Sequence, residues 1–446
     1  MAKILLSFFS GIRHDNEYKI GVFYEGLSNA LKRNGNDVLQ LVTSDFLPTP
    51  WGGNNKSSIY HKKYVTNSIK KFNPDLIISF NNSLVDGVEK AFDCPIIIWD
   101  SDSLKYFNNK NQLLKNKDRY IFFAFSSNGI NDYKACGISN AYLIKTASEI
   151  FHEKLEKKYN ISFIGSTFFN NQQLSLKYYH DKKTKDFNKK THFLSASHRS
   201  LILNSLLKNG LAIFGTRDWL IYQNFNDLFS NSYKDLAVWS LAHNQDIYNR
   251  SNFSLNITHK QNISGMPFRV ADILRSDSLL ITEYKSDFFT DSQIKNNELD
   301  IFKKYTVYDS YIDVNEKIKY LEVNKSLLSE LKQIQFDIGK LYSWDLRLKE
   351  IQQITNIKML NNLDASPKDT SRNQVSRVKY KKDYYDFFMF ILIKIFNFFK
   401  FKNKTNKKNN SDTWEFLRYF KYKIIKSIII QQKLKKNDIN YQKEYK

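Results

Sequence analysis

The segment from Leu255 to Tyr284 concentrates the residue types that could hold a phosphorylated ligand. A strand-like apolar run leads into a polar loop with His259, Ser264 and Gly265, and then into a helical pattern that begins near Arg269 and includes Asp272. A small-residue loop that opens a helix presents free backbone N–H groups at the positive end of the helix dipole, which favours phosphate. Arg269 adds a fork of donors that can grip a diphosphate at two points. Asp272, a turn further on, can accept hydrogen bonds from ribose hydroxyls. The same spacing also describes an ordinary amphipathic helix with an exposed Arg and Asp, and spacing alone leaves both readings open. Two other turns have similar character: Gly165-Ser166 after Ile161–Ile164, and Gly215 with Arg217 after Leu211–Phe214. Glycine there permits close backbone approach, although plain strand-end turns use it too.

These residues need elements that hold them at strand ends. The chain has 446 residues, 42% of them hydrophobic, which suits two domains and an appendage. Apolar runs of four to six residues recur between helical patterns: Lys3–Phe9, Asp37–Val42, Asp75–Phe80, Ile96–Trp99 and Tyr120–Ser126. Helices are predicted between them, including one over Ser83–Phe92, and the Gly11 to Asp15 stretch reads as a loop. This is the pattern of a parallel sheet buried on both faces. After a charged linker the alternation restarts at Asn160–Gly165. It continues through a helix opening at His198, the strands Leu211–Phe214, Phe253–Ile257 and Leu279–Thr282, and a helical stretch over Asp313–Ile354. The expected fold class is α/β, with two Rossmann-like doubly wound domains facing a cleft, residues 1–150 and 151–356. A linker, 357–382, and a basic amphipathic tail, 383–446, follow. Ligands of such sheets sit beyond the carboxyl ends of the strands.

The ordered landmarks resemble the group-1 glycosyltransferases and, more narrowly, the spore-protein glycosyltransferase-like (CgeB-type) family. They are Ile97–Trp99 with Asp100 and Asp102, Asp132-Tyr133-Lys134, Ile161–Ser166, His198-Arg199, Ile213-Phe214-Gly215 with Trp219, Asp246–Ser251, the Arg269 helix, and Tyr342–Arg347. The resemblance covers about residues 1–356. Three positions depart from it: Asp272 stands for a Glu, Ala271 for a Phe, and Arg275-Ser276-Asp277 for an Ala-Ser-Gly turn.

The resemblance implies a GT-B fold, a nucleotide-sugar donor on the C-terminal domain and an acceptor on the N-terminal one, with no bound metal or cofactor. Donor-binding candidates are Gly165, Ser166, Gly215, Arg217, His259, Ser264, Gly265, Arg269 and Asp272. An inverting transfer needs a general base on the acceptor side; His14, Asp15 and Asp102 are the strand-end candidates. Asp100-Ser101-Asp102 also spells the paired carboxylates of metal-dependent GT-A transferases, which is the competing enzyme reading. A degenerate glycan-binding or scaffold protein is the non-enzyme alternative.

Net charge is +23, and residues 371–446 hold 20 Lys/Arg against 6 Asp/Glu, so more than half of the excess belongs to the tail. Tyr384–Lys400 is intensely apolar but short of the ~20 residues of a spanning helix, and Trp414–Leu434 sets apolar residues at helical spacing among lysines. Basic amphipathic helices with aromatics suit an anionic membrane surface. The expectation is a cytoplasmic protein, peripheral on the inner face of the membrane, with a glycan or lipid-linked acceptor for cell-surface polysaccharide and no nucleic-acid partner. The two cysteines, Cys94 and Cys136, have no metal-ligand spacing and exclude a disulfide scaffold.

Overall fold

The computed structural model describes residues 1–9, 11–14, 17–43, 59–100, 102, 104, 110–167, 187–215, 219–220, 222, 226–235, 240–360 and 375–378. Its strands are β1 (Lys3–Phe8), β2 (Gly11–His14), β3 (Glu17–Ile20), β4 (Asp37–Val42), β5 (Leu76–Phe80), β6 (Ile96–Asp100) and β7 (Ile121–Ala124). They continue with β8 (Ala141–Leu143), β9 (Tyr159–Ile164), β10 (Leu211–Phe214), β11 (Tyr233–Asp235), β12 (Ser251–Asn256), β13 (Leu279–Thr282) and β14 (Val375–Arg377).

Two parallel sheets organise the chain. The first has the order β14-β4-β1-β5-β6-β7-β8, and the second β11-β10-β9-β12-β13. In β1 successive residues enter opposite layers: Leu5 joins one buried cluster with Leu39, Ile77 and Ile98, while Ile4 and Leu6 join another with Val38, Ile78 and Trp99. Burial on both faces is why these strands read as unbroken apolar runs rather than as alternation. The order reverses around β1 in the first sheet and around β9 in the second, so each has a topological switch point at the carboxyl end of its first strand.

The last helix, Trp344–Thr355, crosses back to the N-terminal sheet, where Trp344, Leu348 and Ile351 complete the cluster of Ile4 and Phe23. The outgoing and returning passages run together, with the Ser148 N–H donating to the Tyr342 carbonyl at 2.9 Å. The chain then adds β14 in parallel beside β4, inside the stretch read from composition as linker, and Val378 is buried against Leu39. The tail lies outside the described residues, and among those described no helix is long and apolar enough to cross a membrane.

Several local expectations differ from the structure. Gly11 to Ile20 is an antiparallel hairpin, β2–β3, not a loop. Ser83–Phe92 is a turn and a short 3₁₀ segment, Glu89–Ala91, because Gly87 takes φ 78° and breaks the helix. Leu84, Val85 and Val88 are nevertheless buried, which is what imitated a helical period. The helix containing His198 begins at Phe187, so His198 and Arg199 lie inside it rather than at its start.

The units meet through aromatic rings. Phe268, at the start of the helix Phe268–Leu274, stacks on Phe23 with centroids 3.5 Å apart and meets Phe125 edge-on. Across the same interface Asp287 accepts hydrogen bonds from the backbone N–H (2.8 Å) and hydroxyl (2.5 Å) of Ser127, at the N-terminus of the helix Ser127–Ala135. A carboxylate at that position satisfies otherwise unpaired donors.

Candidate active site

At the switch point of the second sheet, β9 runs into Gly165 and β10 into Gly215. The two glycines abut. A Cβ on Gly215 would lie 2.1 Å from the Gly165 carbonyl oxygen, and one on Gly165 would lie 2.8 Å from the Arg269 guanidinium. The Gly165 N–H donates to the Phe214 carbonyl (2.9 Å), and Trp219 Nε1 donates to the Gly165 carbonyl (2.7 Å). Arg269 lies over the Phe163 ring at 5.1 Å and hydrogen-bonds the Tyr248 hydroxyl. The sequence-predicted Gly165, Gly215 and Arg269 thus converge.

Arg199 is a member of this cluster that sequence reasoning left as a landmark. It is buried, with its guanidinium 5.4 Å from the same Phe163 ring. It donates to the Ser166 carbonyl at 2.6 Å and to the Ile257 carbonyl at 3.0 and 3.3 Å, pinning the ends of β9 and β12 together. Burial pushes its pKa well below the usual guanidinium range, and the nearby Arg269 adds to the effect. Arg269 is lowered by burial as well. Two guanidiniums are thus crowded beside the glycine turns, with Arg199 committed to backbone carbonyls.

Next to this pair, Glu283 follows β13 directly. It takes a hydrogen bond from the Thr258 N–H (2.6 Å), lies 2.9 Å from His198 Nε2, and accepts from Lys260 Nζ (3.1 Å). Burial alone would raise its pKa, but the His198 hydrogen bond, Lys260 and the Thr258 N–H outweigh it and hold Glu283 down to about 2. Its position right after a strand was the signal that could have singled it out. His259 lies beside this cluster, its Nδ1 accepting from the Gln261 N–H at 3.2 Å.

Other predicted residues sit elsewhere. Ser264 and Gly265 belong to the domain contact rather than to an open anion loop. The Ser264 hydroxyl donates to Asp287 (2.9 Å) and accepts from the Asn128 N–H (3.2 Å), and a Cβ on Gly265 would lie 2.6 Å from Ser126. Asp272 faces the crossover and hydrogen-bonds Ser148. Burial pushes its pKa up to about 7, against that hydrogen bond and Arg269 and Arg275. The departures at 275–277 have a structural role. Arg275 Nε donates to the Ile150 carbonyl (3.0 Å), and Asp277 pairs with Lys157 (2.5 Å). Arg217 and Asp15 lie outside the described residues, as does the side chain of His14.

On the N-terminal side, Asp102 faces the cleft. Its Oδ2 accepts from Asn81 Nδ2 (2.7 Å), and its Oδ1 from Gln261 Nε2 (2.5 Å) of the opposite unit. Asp100 turns inward instead. Its Oδ2 takes the Tyr133 hydroxyl, its Oδ1 is buried without a partner, and burial pushes its pKa well above the carboxylate range. The two carboxyls are engaged by different partners, and among the described residues no group of three His, Cys, Asp or Glu side chains converges. Asp100 and Asp102 therefore do not present their carboxyls side by side, against the arrangement that the paired-carboxylate reading expects.

No protein-family profile and no curated protein sequence matches the chain. Solved structures do resemble it. An α-glucosyltransferase in complex with UDP and a 13-mer DNA superimposes with TM-score 0.50 at 14% identity, over 80% of this chain and 100% of that one. Anabaena HepE with UDP and glucose gives 0.51 at 10%, over 79% and 99%. A sucrose-phosphate synthase from Thermosynechococcus elongatus gives 0.50 at 9%, over 80% and 98%. The chain has the GT-B fold of these proteins.

Proposed function

We propose that the chain transfers a sugar from a nucleotide-sugar donor, held at the β9/β12 switch point, to a hydroxyl acceptor on the N-terminal side. The observation that carries this reading is the meeting of Gly165, Gly215, Arg199 and Arg269 at the carboxyl ends of parallel strands in a GT-B fold. In an inverting displacement the acceptor oxygen bonds to the anomeric carbon as its proton passes to a base. The bond from that carbon to the diphosphate oxygen breaks, and the negative charge that collects on the diphosphate falls on Arg269 and the adjacent backbone. Asp102 is the base that faces the cleft. Glu283 has the ionised oxygens to accept sugar or ribose hydroxyls. UDP is the first nucleotide to try, because the glucosyltransferase and HepE neighbours hold it. Within the fold, the ordered sequence landmarks favour the CgeB-type branch.

A thermal-shift screen of the full chain against UDP, GDP, CMP and dTDP, with EDTA present, tests the proposal. Stabilisation by one nucleotide, lost in Arg269→Ala, is the expected result. Binding of none would sink the donor site and favour a glycan-binding scaffold. The acceptor screen starts with lipid-linked glycans, on the basis of the tail's composition, and includes a DNA duplex because one neighbour is seen with DNA. Deleting 379–446, a cut that spares β14 and the buried Val378, is expected to release the protein from anionic vesicles; undiminished binding would remove the tail from the proposal.

A further inference from the structure

We infer that Gln261, on the C-terminal unit, positions Asp102 of the N-terminal unit, so that closure of the two units on each other aligns the base. The inference rests on reading Asp102 as the base. The carboxylate is held from both sides of the cleft: Gln261 Nε2 donates to Oδ1 at 2.5 Å and Asn81 Nδ2 to Oδ2 at 2.7 Å. The Asp102 N–H returns a hydrogen bond to Asn81 Oδ1 at 3.3 Å. Side-chain amides orient a carboxylate without competing for its proton.

Both holders are themselves fixed. Asn81 and Asn82 are consecutive left-handed residues, φ 51° and 50°, at the end of β5, and both are buried. Non-glycine residues in that region are uncommon and concentrate where a side chain must be aimed. The Gln261 loop is pinned to its own unit by four contacts. The Lys260 N–H donates to Ser195 Oγ (2.9 Å), Lys260 Nζ reaches Glu283 (3.1 Å), the Thr258 N–H donates to Glu283 (2.6 Å), and Lys285 Nζ donates to the Asn262 carbonyl (2.7 Å). Gln261 therefore reaches Asp102 from an anchored base, and opening the cleft would remove that hold from the opposite unit.

The test is a double-mutant cycle on the full chain, with UDP-glucose as probe, UDP release as readout and water as acceptor. Gln261→Met keeps length and removes the donor; it is expected to lower kcat roughly 10–100-fold, the scale of a misplaced catalytic group, while UDP affinity stays within about twofold. In an Asp102→Asn background the same change is expected to cost nothing further, because Gln261 acts through Asp102. Losses that multiply independently would overturn the inference. Full turnover by Asp102→Asn would overturn the base reading instead, and the positioning role with it. Hydrogen exchange is the second readout and does not need turnover: Gln261→Met is expected to raise exchange at residues 81–84, on the opposite unit. If UDP-glucose is not turned over, unchanged exchange at 81–84 overturns the hold across the cleft.

Discussion

Adding one methyl group to Gly165 or to Gly215 is expected to damage different properties. At Gly215 the new Cβ would lie 2.1 Å from the Gly165 carbonyl oxygen, a backbone atom fixed by Trp219 Nε1 at 2.7 Å. Neither strand end can move without breaking the β9–β10 ladder, so Gly215→Ala is expected to cost about 3 kcal/mol, the upper end of overpacking. For a domain of this size that lowers Tm by roughly 6–12 °C. At Gly165 the nearest atom is the end of the Arg269 side chain, 2.8 Å from the new Cβ, followed by the Phe163 ring at 2.9 Å. The guanidinium can swing aside, but the buried Phe163 ring must also give, so Gly165→Ala is expected to cost about 1–2 kcal/mol of stability, less than the clash with fixed backbone at Gly215. If Arg269 grips the donor, displacing it removes a charge-assisted hydrogen bond of about 1.5–3 kcal/mol, or roughly 10–150-fold in Kd. Differential scanning calorimetry and UDP titration calorimetry on both variants separate the effects. A Gly165→Ala protein that binds UDP as tightly as the wild type would refute the placement of the donor against Arg269. A Gly215→Ala protein of unchanged Tm would refute the packing argument.

Other outcomes follow from the same contacts. Asp287→Ala is expected to cost roughly 1.5–3 kcal/mol in urea unfolding, since it removes a charged cap from the Ser127–Ala135 helix and a tie between the units. Glu283, held at about 2, stabilises the fold above the pKa of an unfolded glutamate, and that contribution is lost as pH falls through 2. Glu283→Gln should therefore be less stable than wild type at pH 7, with the gap narrowing on acidification below about pH 4.5. Asp272 has the opposite sign. With its folded pKa raised to about 7, wild-type stability falls between the unfolded value near 3.8 and pH 7, so Asp272→Asn should gain more relative to wild type at pH 8 than at pH 4. Arg269→Lys is expected to restore only part of the nucleotide affinity lost in Arg269→Ala, because an ammonium lacks the planar fork.

The architecture was legible because strands buried on both faces announce themselves as apolar runs, as β1, β5 and β6 do. The β2–β3 hairpin was not, since GIRH and EYKI contain no such run. Strand-end turns pointed to Gly165 and Gly215, and the loop that opens a helix pointed to Arg269; the fold brings these three together because each lies at or next to a turn. Local position failed for Ser264, whose partners, Asn128 and Asp287, come from both units. It also passed over Gln261, a loop amide with no pattern around it and a partner 159 residues away. Arg199 was hidden for another reason: its helix starts eleven residues earlier than expected, which moves it from a helix end to a buried interior turn.

β14 bears on how the chain is made. The first sheet is closed on one side by residues 375–377, and one of its layers is filled by Trp344, Leu348 and Met359. A ribosome therefore has to pass residue 377 before the sheet begun by β1 can be completed. Until then β4 lacks its β14 neighbour and Phe23 lacks the Trp344 ring, a condition that invites pairing with other nascent chains. The N-terminal sheet therefore depends for its last strand and part of one layer on residues made more than 300 positions later.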